Sequence, residues 1–169
     1  MSTGFSGMAI GKSIPNERGL IVSSLENGIR SEYQLAPDGV NQAQLADLRE
    51  RYFGPSFELL SHDKYTEIWA IDEKDLFVGP EGGESVKDVA SRLAKSMAVM
   101  ESEFEGCAIL VVSHGDPLQI LQTILHAATK HKEPASDDLA SILSAVQVAP
   151  ILSQHRQYAL NTGELRRVI

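Results

Sequence analysis

The sequence predicts an α/β fold, with an open and mostly parallel sheet that carries helices on both faces. The segment "GGESVKDVASRLAKSMAVMESEF" (82–104) repeats apolar residues at three- and four-residue steps, as the buried face of a helix does. The continuous apolar run "CAILVVS" (107–113) is typical of a strand covered on both faces. "DPLQILQTILHAAT" (116–129) follows with helical spacing. A helix, a buried strand and a second helix in succession indicate helices layered on a sheet.

Length and composition indicate one globular domain over residues 1–169. The net charge of −8 argues against a general nucleic-acid surface or an anionic-membrane surface, since both need a basic face. Cys107 is the only cysteine, so no internal disulfide can form, and an intracellular, cytoplasmic location is expected. No apolar run is long enough to span a bilayer, and the N-terminus lacks the pattern of a signal peptide.

The first half of the chain gives weaker patterns. "MAIG" (8–11) and "LIVSSL" (20–25) are short strand-like pieces. A turn at 37–39 precedes a predicted helix that runs to about residue 53, with Val40, Ala43, Leu45 and Leu48 towards the core. Residues 53–82 are predicted to be a long, mostly irregular segment that packs on the body, and loops of this length often serve as lids.

The second half gives clearer boundaries. Ser85 and Asp88 resemble a capping box at the start of the 82–104 helix, and Gly106 is expected to end it. Asp116 can cap the next helix, and Pro117 suits its first position. "DLASILSAVQ" (138–147) predicts a further helix, and "YALNTGELRRVI" (158–169) predicts a terminal strand or hairpin.

His114 stands where the apolar strand ends and the next helix begins. Ligands bind beyond the carboxyl ends of parallel strands, and the free N–H groups of a helix start favour an anion such as phosphate. Gly115 would let the backbone approach that anion closely. A histidine at such a place can instead bond a nearby carbonyl and be structural. Two other chemistries fit poorly: Val111 occupies the glycine position that a Ser113 nucleophile elbow needs, and no second His or Cys lies at zinc-ligand spacing.

Five pieces of the chain, in the same order, resemble the histidine phosphatase superfamily, also called phosphoglycerate mutase-like. These pieces are "GKSIPN" (11–16), "YQLAPDGVNQAQLA" (33–46), "LRERYFGPSFE" (48–58), "GPEGGESVKDVASRL" (79–93) and "ILVVSHGDPLQIL" (109–121). The resemblance implies a phosphoglycerate mutase-like fold and a phosphomonoester phosphatase or mutase activity without a cofactor or metal. Its ligand would be a small phosphorylated molecule or inorganic phosphate.

The resemblance also implies roles for single residues. His114 would be the second histidine, which stabilises the transferring phosphoryl group, and Glu50 would donate a proton to the leaving oxygen. Gly115, Ser13 and Asn16 would bind phosphate beside His114, and Lys12 could line the pocket mouth. Glu84, Ser85 and Arg92 would be structural residues near the site. His62, in the long segment near Glu50, is a remote candidate for a substitute nucleophile.

The chain departs from the family pattern at two places. The Arg and nucleophilic His of the family signature fall on Ala9 and Ile10, which can perform neither role. The segment that carries a second phosphate-binding Arg is missing between "QAQLA" (42–46) and "DLRERYFG" (47–54). The fold is therefore expected to be incomplete, as an alternative transcript or a gene-model error would make it; the joins in mature mRNA test that hypothesis.

Three functions remain open at this point. The first is a degenerate phosphatase-fold protein with little or no turnover and residual phosphate-ester binding. The second is a working phosphatase or mutase whose missing parts are replaced. The third is a non-catalytic interaction or regulatory module that self-associates or pairs with a full-length homologue.

Overall fold

A three-stranded sheet forms one layer of the fold. The computed structural model describes residues 5–10, 45–103, 109–130 and 139–168, with the side chains of 5–10 left aside. The strands are β1 (Phe5–Ile10), β2 (Ile109–Ser113) and β3 (Leu165–Arg166), in the order β2-β1-β3. β1 pairs with β2 in parallel and with β3 antiparallel. The α/β class and the strands at "MAIG" and near the C-terminus are confirmed, whereas a mostly parallel sheet with helices on both faces stays a prediction.

The register of β1 against β2 places two strand ends side by side. Ile10, the last residue of β1, is the partner of Ser113, the last residue of β2. Because the pair is parallel, both chains leave the sheet at the same edge. His114 follows at that edge.

Five helices are present in the described ranges. They are α1 (Tyr65–Lys74), α2 (Val86–Glu103), α3 (Gly115–Lys130), α4 (Leu139–Ala145) and α5 (Ala149–Leu152). Short 3-10 turns lie at Ala46–Leu48, His62–Lys64 and His155–Tyr158. None of the helices in the ranges just given is long and apolar enough to cross a membrane.

The main core lies between α2, α3 and the short helices that pack on them. α2 contributes its three- and four-residue apolar stripe, and α3 contributes a second stripe that faces it. The fully enclosed members of this core are Val86, Val89, Ala90, Leu93, Met97, Leu118, Ile120, Leu121, Ile124, Leu143, Val146 and Leu152. The strong periodicity of both segments therefore predicted α2 and α3 correctly.

The start of α2 has the predicted capping box. The Ser85 N–H donates to Asp88 Oδ2 over 2.9 Å, and the Asp88 N–H donates to Ser85 Oγ over 3.1 Å. The two side chains thus satisfy N–H groups that the first turn of a helix leaves free. The predicted helix end at Gly106 lies outside the described residues.

The predicted helix up to residue 53 is wrong over its described part. Only the Ala46–Leu48 turn is helical, and residues 49–53 form neither a helix nor a strand. Their backbone groups bond to distant partners: the Tyr52 N–H donates to Glu84 Oε2 over 2.9 Å, and the Glu84 N–H donates to the Tyr52 carbonyl over 2.7 Å. Long-range hydrogen bonds have replaced the local ones that a helix would need.

The prediction of a mostly irregular segment at 53–82 is also wrong in part, because it contains α1. Within α1 only Ile68 and Asp72 are buried, four positions apart. A helix that buries one apolar and one charged residue shows almost no apolar periodicity, so the sequence gave little sign of it.

Two details around β2 and α3 also differ from expectation. Leu110 of β2 is 52% exposed, so this strand is not covered on both faces. Helix α3 begins at Gly115, which places Asp116 inside the first turn, and the His114 carbonyl accepts from the Leu118 N–H over 3.1 Å. The Asp116 carboxylate does not cap the helix but points to Arg51, whose Nη1 lies 3.3 Å away.

Candidate functional site

His114 lies at the point where β2 passes into α3. It sits between Ser113, the last residue of β2, and Gly115, the first residue of α3. Ser113 Oγ donates to the Leu48 carbonyl over 2.5 Å, which ties this strand end to the Ala46–Leu48 turn, directly before the irregular segment 49–53. The tie explains why residues so far apart in sequence share one site.

Glu50, in that irregular segment, lies beside His114. Glu50 Oε2 lies 3.7 Å from His114 Nδ1, and Glu50 Oε1 accepts from the Arg51 N–H over 2.9 Å. Burial, and then the nearby Asp116 carboxylate, raise the pKa of Glu50 to about 8. At neutral pH Glu50 therefore holds a proton and can donate it.

The imidazole of His114 is neutral at the same pH. Burial, followed by the positive charge of Arg92, lowers the pKa of His114 to about 4. The 3.7 Å approach would count as an ion pair by distance alone, but both pKa values leave both partners uncharged at pH 7. We therefore describe the pair as a protonated acid beside a neutral base.

Glu84 and Arg92 hold the backbone around Glu50. Arg92 Nε donates to Glu84 Oε1 over 2.8 Å, and its two terminal nitrogens donate to the carbonyls of Asp47 (2.5 Å) and Glu50 (3.2 Å). Since these bonds join the start of α2 to residues 47–50, they fix the position of the Glu50 main chain. Ser85 acts one step away, in the capping box of α2.

A buried charge network adjoins this pair, and the sequence patterns did not reveal it. Arg51 has no exposed surface and binds Asp72 through two nitrogens, at 2.9 and 2.7 Å. Arg156 Nη2 donates to Asp72 Oδ2 over 2.8 Å, and its Nη1 lies 4.0 Å from Asp116 Oδ1. The charge network (Arg51, Asp72, Asp116 and Arg156) contains two positive and two negative groups and is balanced. Its members come from four separate segments, so no local spacing connects them.

These groups open onto a pocket of about 320 Å³. Its lining residues are Glu50, Phe53, His62, Tyr65, Trp69, His114, Gly115, Asp116, Gln119, Arg156 and Thr162. Such a volume suits a small organic ligand. Among the described residues, no cluster of three or more His, Cys, Asp or Glu side chains is placed to hold a metal ion.

The predicted site residues thus divide into three groups. Glu50, His114 and Gly115 line one pocket, together with His62. Glu84, Ser85 and Arg92 lie behind the Glu50 segment. Ser13 and Asn16, with Lys12, lie outside the described residues.

Comparison with known proteins gives one sequence match. A model of the histidine phosphatase superfamily (branch 1) matches residues 21–146, a range that contains both Glu50 and His114. The match begins after the segment 11–16. No curated protein matches the sequence.

Two solved structures from mycobacteria resemble the fold. One, described as mycobacterial hydrolase 1, superposes with a TM-score of 0.63 at 15% identity, covering 98% of this chain and 88% of that one. The other, a mycobacterial glucosyl-3-phosphoglycerate phosphatase, gives a TM-score of 0.48 at 19% identity, covering 72% of this chain and 53% of that one. At 15% identity, the likeness to the hydrolase concerns the fold alone.

Proposed function

This chain belongs to the histidine phosphatase superfamily, and from that premise we propose that the Glu50–His114 pocket binds the phosphoryl group of a phosphomonoester with little or no turnover. The observation that carries the proposal is the approach of Glu50 Oε2 to within 3.7 Å of His114 Nδ1 in a pocket of ligand size. A phosphoryl oxygen can accept a hydrogen bond from either group. Residual binding therefore needs no residue beyond those two.

The position of Ile10 supports low turnover. The resemblance assigns the nucleophilic histidine to Ile10, and Ile10 pairs with Ser113 directly before His114. The neighbouring strand end is thus where a nucleophile would be expected, and isoleucine cannot accept a phosphoryl group. Glu50 can protonate a leaving oxygen, but the transferred group has no evident acceptor.

Charge balance in the pocket supports weak binding. With Glu50 and His114 uncharged and the charge network balanced, these groups supply no excess positive charge to the pocket. A phosphate dianion would then gain mainly hydrogen bonds, and we expect a dissociation constant of about 1 mM or above.

Substitution of His114 by alanine should abolish phosphate binding and leave p-nitrophenyl phosphate turnover unchanged at background. Binding is measured by phosphorus NMR titration of inorganic phosphate, and turnover by nitrophenol release. His126→Ala is the matched control, because His126 lies on the same helix and does not line this pocket. A clear rate that disappears in His114→Ala would overturn low turnover, and phosphate affinity unchanged by that substitution would overturn the site.

Sulfate affinity should rise as the pH falls from 7 to 5. A bound dianion favours the imidazolium form of His114, whose pKa without ligand is about 4, so binding takes up a proton. Glu50, with its pKa near 8, stays protonated throughout this range. The increase is at most about tenfold per pH unit for one proton. Sulfate is the probe because it remains a dianion over this range, and His114→Ala should remove the pH dependence.

The alternative of an interaction module that pairs with itself or with a full-length homologue stays a prediction. Light scattering of the pure protein tests it.

A further inference from the structure

Three aromatic side chains form one side of the pocket, and we call them the aromatic wall (His62, Tyr65 and Trp69). Tyr65 and Trp69 lie one helical turn apart on α1, and their rings stack with a 13° angle and 6.2 Å between centroids. The His62 ring lies 5.4 Å from that of Tyr65. Phe53 meets Tyr65 edge to face at 5.5 Å, which braces the wall from the core side.

Arg156 extends this wall with a planar cation. Its guanidinium carbon lies 4.7 Å from the centroid of the Trp69 ring, over the ring face. The buried Asp72 carboxylate holds the same guanidinium through the 2.8 Å hydrogen bond. The side chain is 30% exposed and lines the pocket, so it is fixed in place yet reachable by a ligand.

We propose that the aromatic wall and Arg156 bind the organic part of the phosphomonoester and select a planar aromatic group over an aliphatic one. This inference rests on the proposed function, since it assumes that the phosphoryl group lies between Glu50 and His114. The ligand class is an aryl or heteroaryl phosphate monoester, which places its phosphate at one end of the pocket and its ring against the wall.

The chemistry of the lining favours a ring over a polyol. Tyr65, Trp69 and the guanidinium of Arg156 are planar groups in stacking contact, and a planar ligand extends such a series with little loss of conformational freedom. A polyol chain would have to fix several rotatable bonds against the same planar surface. Outside the Glu50–His114 end, two of the polar lining side chains, Asp116 and Arg156, are already engaged in the charge network. The other lining side chains that can form hydrogen bonds are His62, Tyr65, Trp69, Gln119 and Thr162.

The competing explanation is that Trp69 only shields the charge network from water. Trp69 is 40% exposed at a pocket that His114 also lines, which leaves ring surface for a ligand. The two explanations differ in one measurable respect. Shielding predicts that ligands do not perturb Trp69, whereas stacking predicts that aromatic phosphates do.

The test uses the fluorescence of the unaltered protein, because Trp69 is the only tryptophan in the chain. Phenyl phosphate, glycerol 3-phosphate and inorganic phosphate are titrated separately, with affinities measured in parallel by phosphorus NMR. We expect phenyl phosphate to change the Trp69 emission and to bind about three- to tenfold more tightly than glycerol 3-phosphate. Equal affinities with unchanged emission would overturn the proposal.

Substitution gives a second measurement. Trp69→Ala should reduce phenyl phosphate affinity to that of glycerol 3-phosphate and leave inorganic phosphate affinity unchanged. Phe77→Ala is the control, since Phe77 is 49% exposed and does not line the pocket. If Trp69→Ala does not fold, the fluorescence titration decides alone.

The two proposals fail in different ways. If the unaltered protein does not bind phosphate at all, the proposed function and this inference are both overturned. His114-dependent binding of inorganic phosphate without any preference for phenyl phosphate would overturn the inference alone.

Discussion

Replacement of Arg51 by methionine should lower the free energy of unfolding by about 3–5 kcal/mol. Arg51 is fully buried and binds Asp72 at 2.9 and 2.7 Å, Asp116 at 3.3 Å and the Glu84 carbonyl at 2.9 Å. Burial alone would lower the pKa of Arg51. The Asp72 and Asp116 carboxylates more than offset that effect, so the pKa lies above its ordinary value. Without the guanidinium, two carboxylates would remain in the interior with Arg156 as their only cationic partner in the network.

Urea unfolding measures this effect. An unchanged slope of the free energy of unfolding against urea concentration would show that the unfolded state is not altered. Arg49→Met is the matched control: Arg49 lies two residues away and also binds a carboxylate, Glu84, at 2.7 Å, but it is 34% exposed. For Arg49→Met we expect the free energy of unfolding to fall by at most about 1 kcal/mol. Adding Asp72→Asn to Arg51→Met should recover part of the loss, because it removes one unpaired buried charge. A loss below about 1 kcal/mol in Arg51→Met would contradict the importance of the network.

Glu50→Gln should stabilise the protein at pH 8 and above, and have little effect near pH 4.5. The folded-state pKa of Glu50 is about 8 against an ordinary 4.5, so between these values the unfolded chain releases a proton that the folded chain keeps. Stability is therefore lost as the pH rises from about 4.5 to about 8, by an amount on the order of a few kcal/mol. Glutamine keeps the oxygen that accepts from the Arg51 N–H and cannot ionise.

Urea unfolding at pH 5, 7 and 9 tests this expectation. The unaltered protein should lose stability across the series more steeply than Glu50→Gln. Glu67→Gln serves as the control, since Glu67 is 55% exposed and its pairing with Lys64 lies on the surface. Identical pH profiles for the unaltered protein and Glu50→Gln would show that the pKa of Glu50 is not raised.

Burial of Glu50 lowers the stability of the protein at neutral pH, which suggests that the residue is buried for a functional reason. An exposed or paired carboxylate at this position would make the folded protein more stable, whereas a buried, protonated carboxyl is suited to donate a proton. This agrees with the role that the family resemblance implies for Glu50.

The strongly periodic elements could be predicted from sequence alone. α2 and α3 each bury an apolar stripe, so their patterns are long and clear. β2 could be predicted from its apolar run, although Leu110 within it is half exposed. The segment 45–53 misled the same reasoning, because its apolar spacing is helical but its backbone bonds to Glu84 and Arg92, more than thirty residues away. α1 was missed because its buried face holds one apolar residue and Asp72.

Part of the candidate site could also be predicted from the sequence, and part could not. Glu50 and His114 lie in local motifs, and a resemblance of motifs suffices to find them. Asp72 and Arg156 are separated by 84 positions and belong to no motif, so only the folded structure brings them together. The place of Trp69 in the pocket follows from α1, the helix that the sequence did not reveal.

The charge network also has a consequence for how the chain folds and opens. Arg51 meets Asp116 across 65 positions and Arg156 meets Asp72 across 84, so the network is completed late, after long loops have closed. Separation of α1 from the body would remove Asp72 from both Arg51 and Arg156 and so break up the network, with most of the α2–α3 core left intact. We therefore expect the pocket to open as one cooperative unit, with amide hydrogens of α1 exchanging together and well before those of α2 and α3.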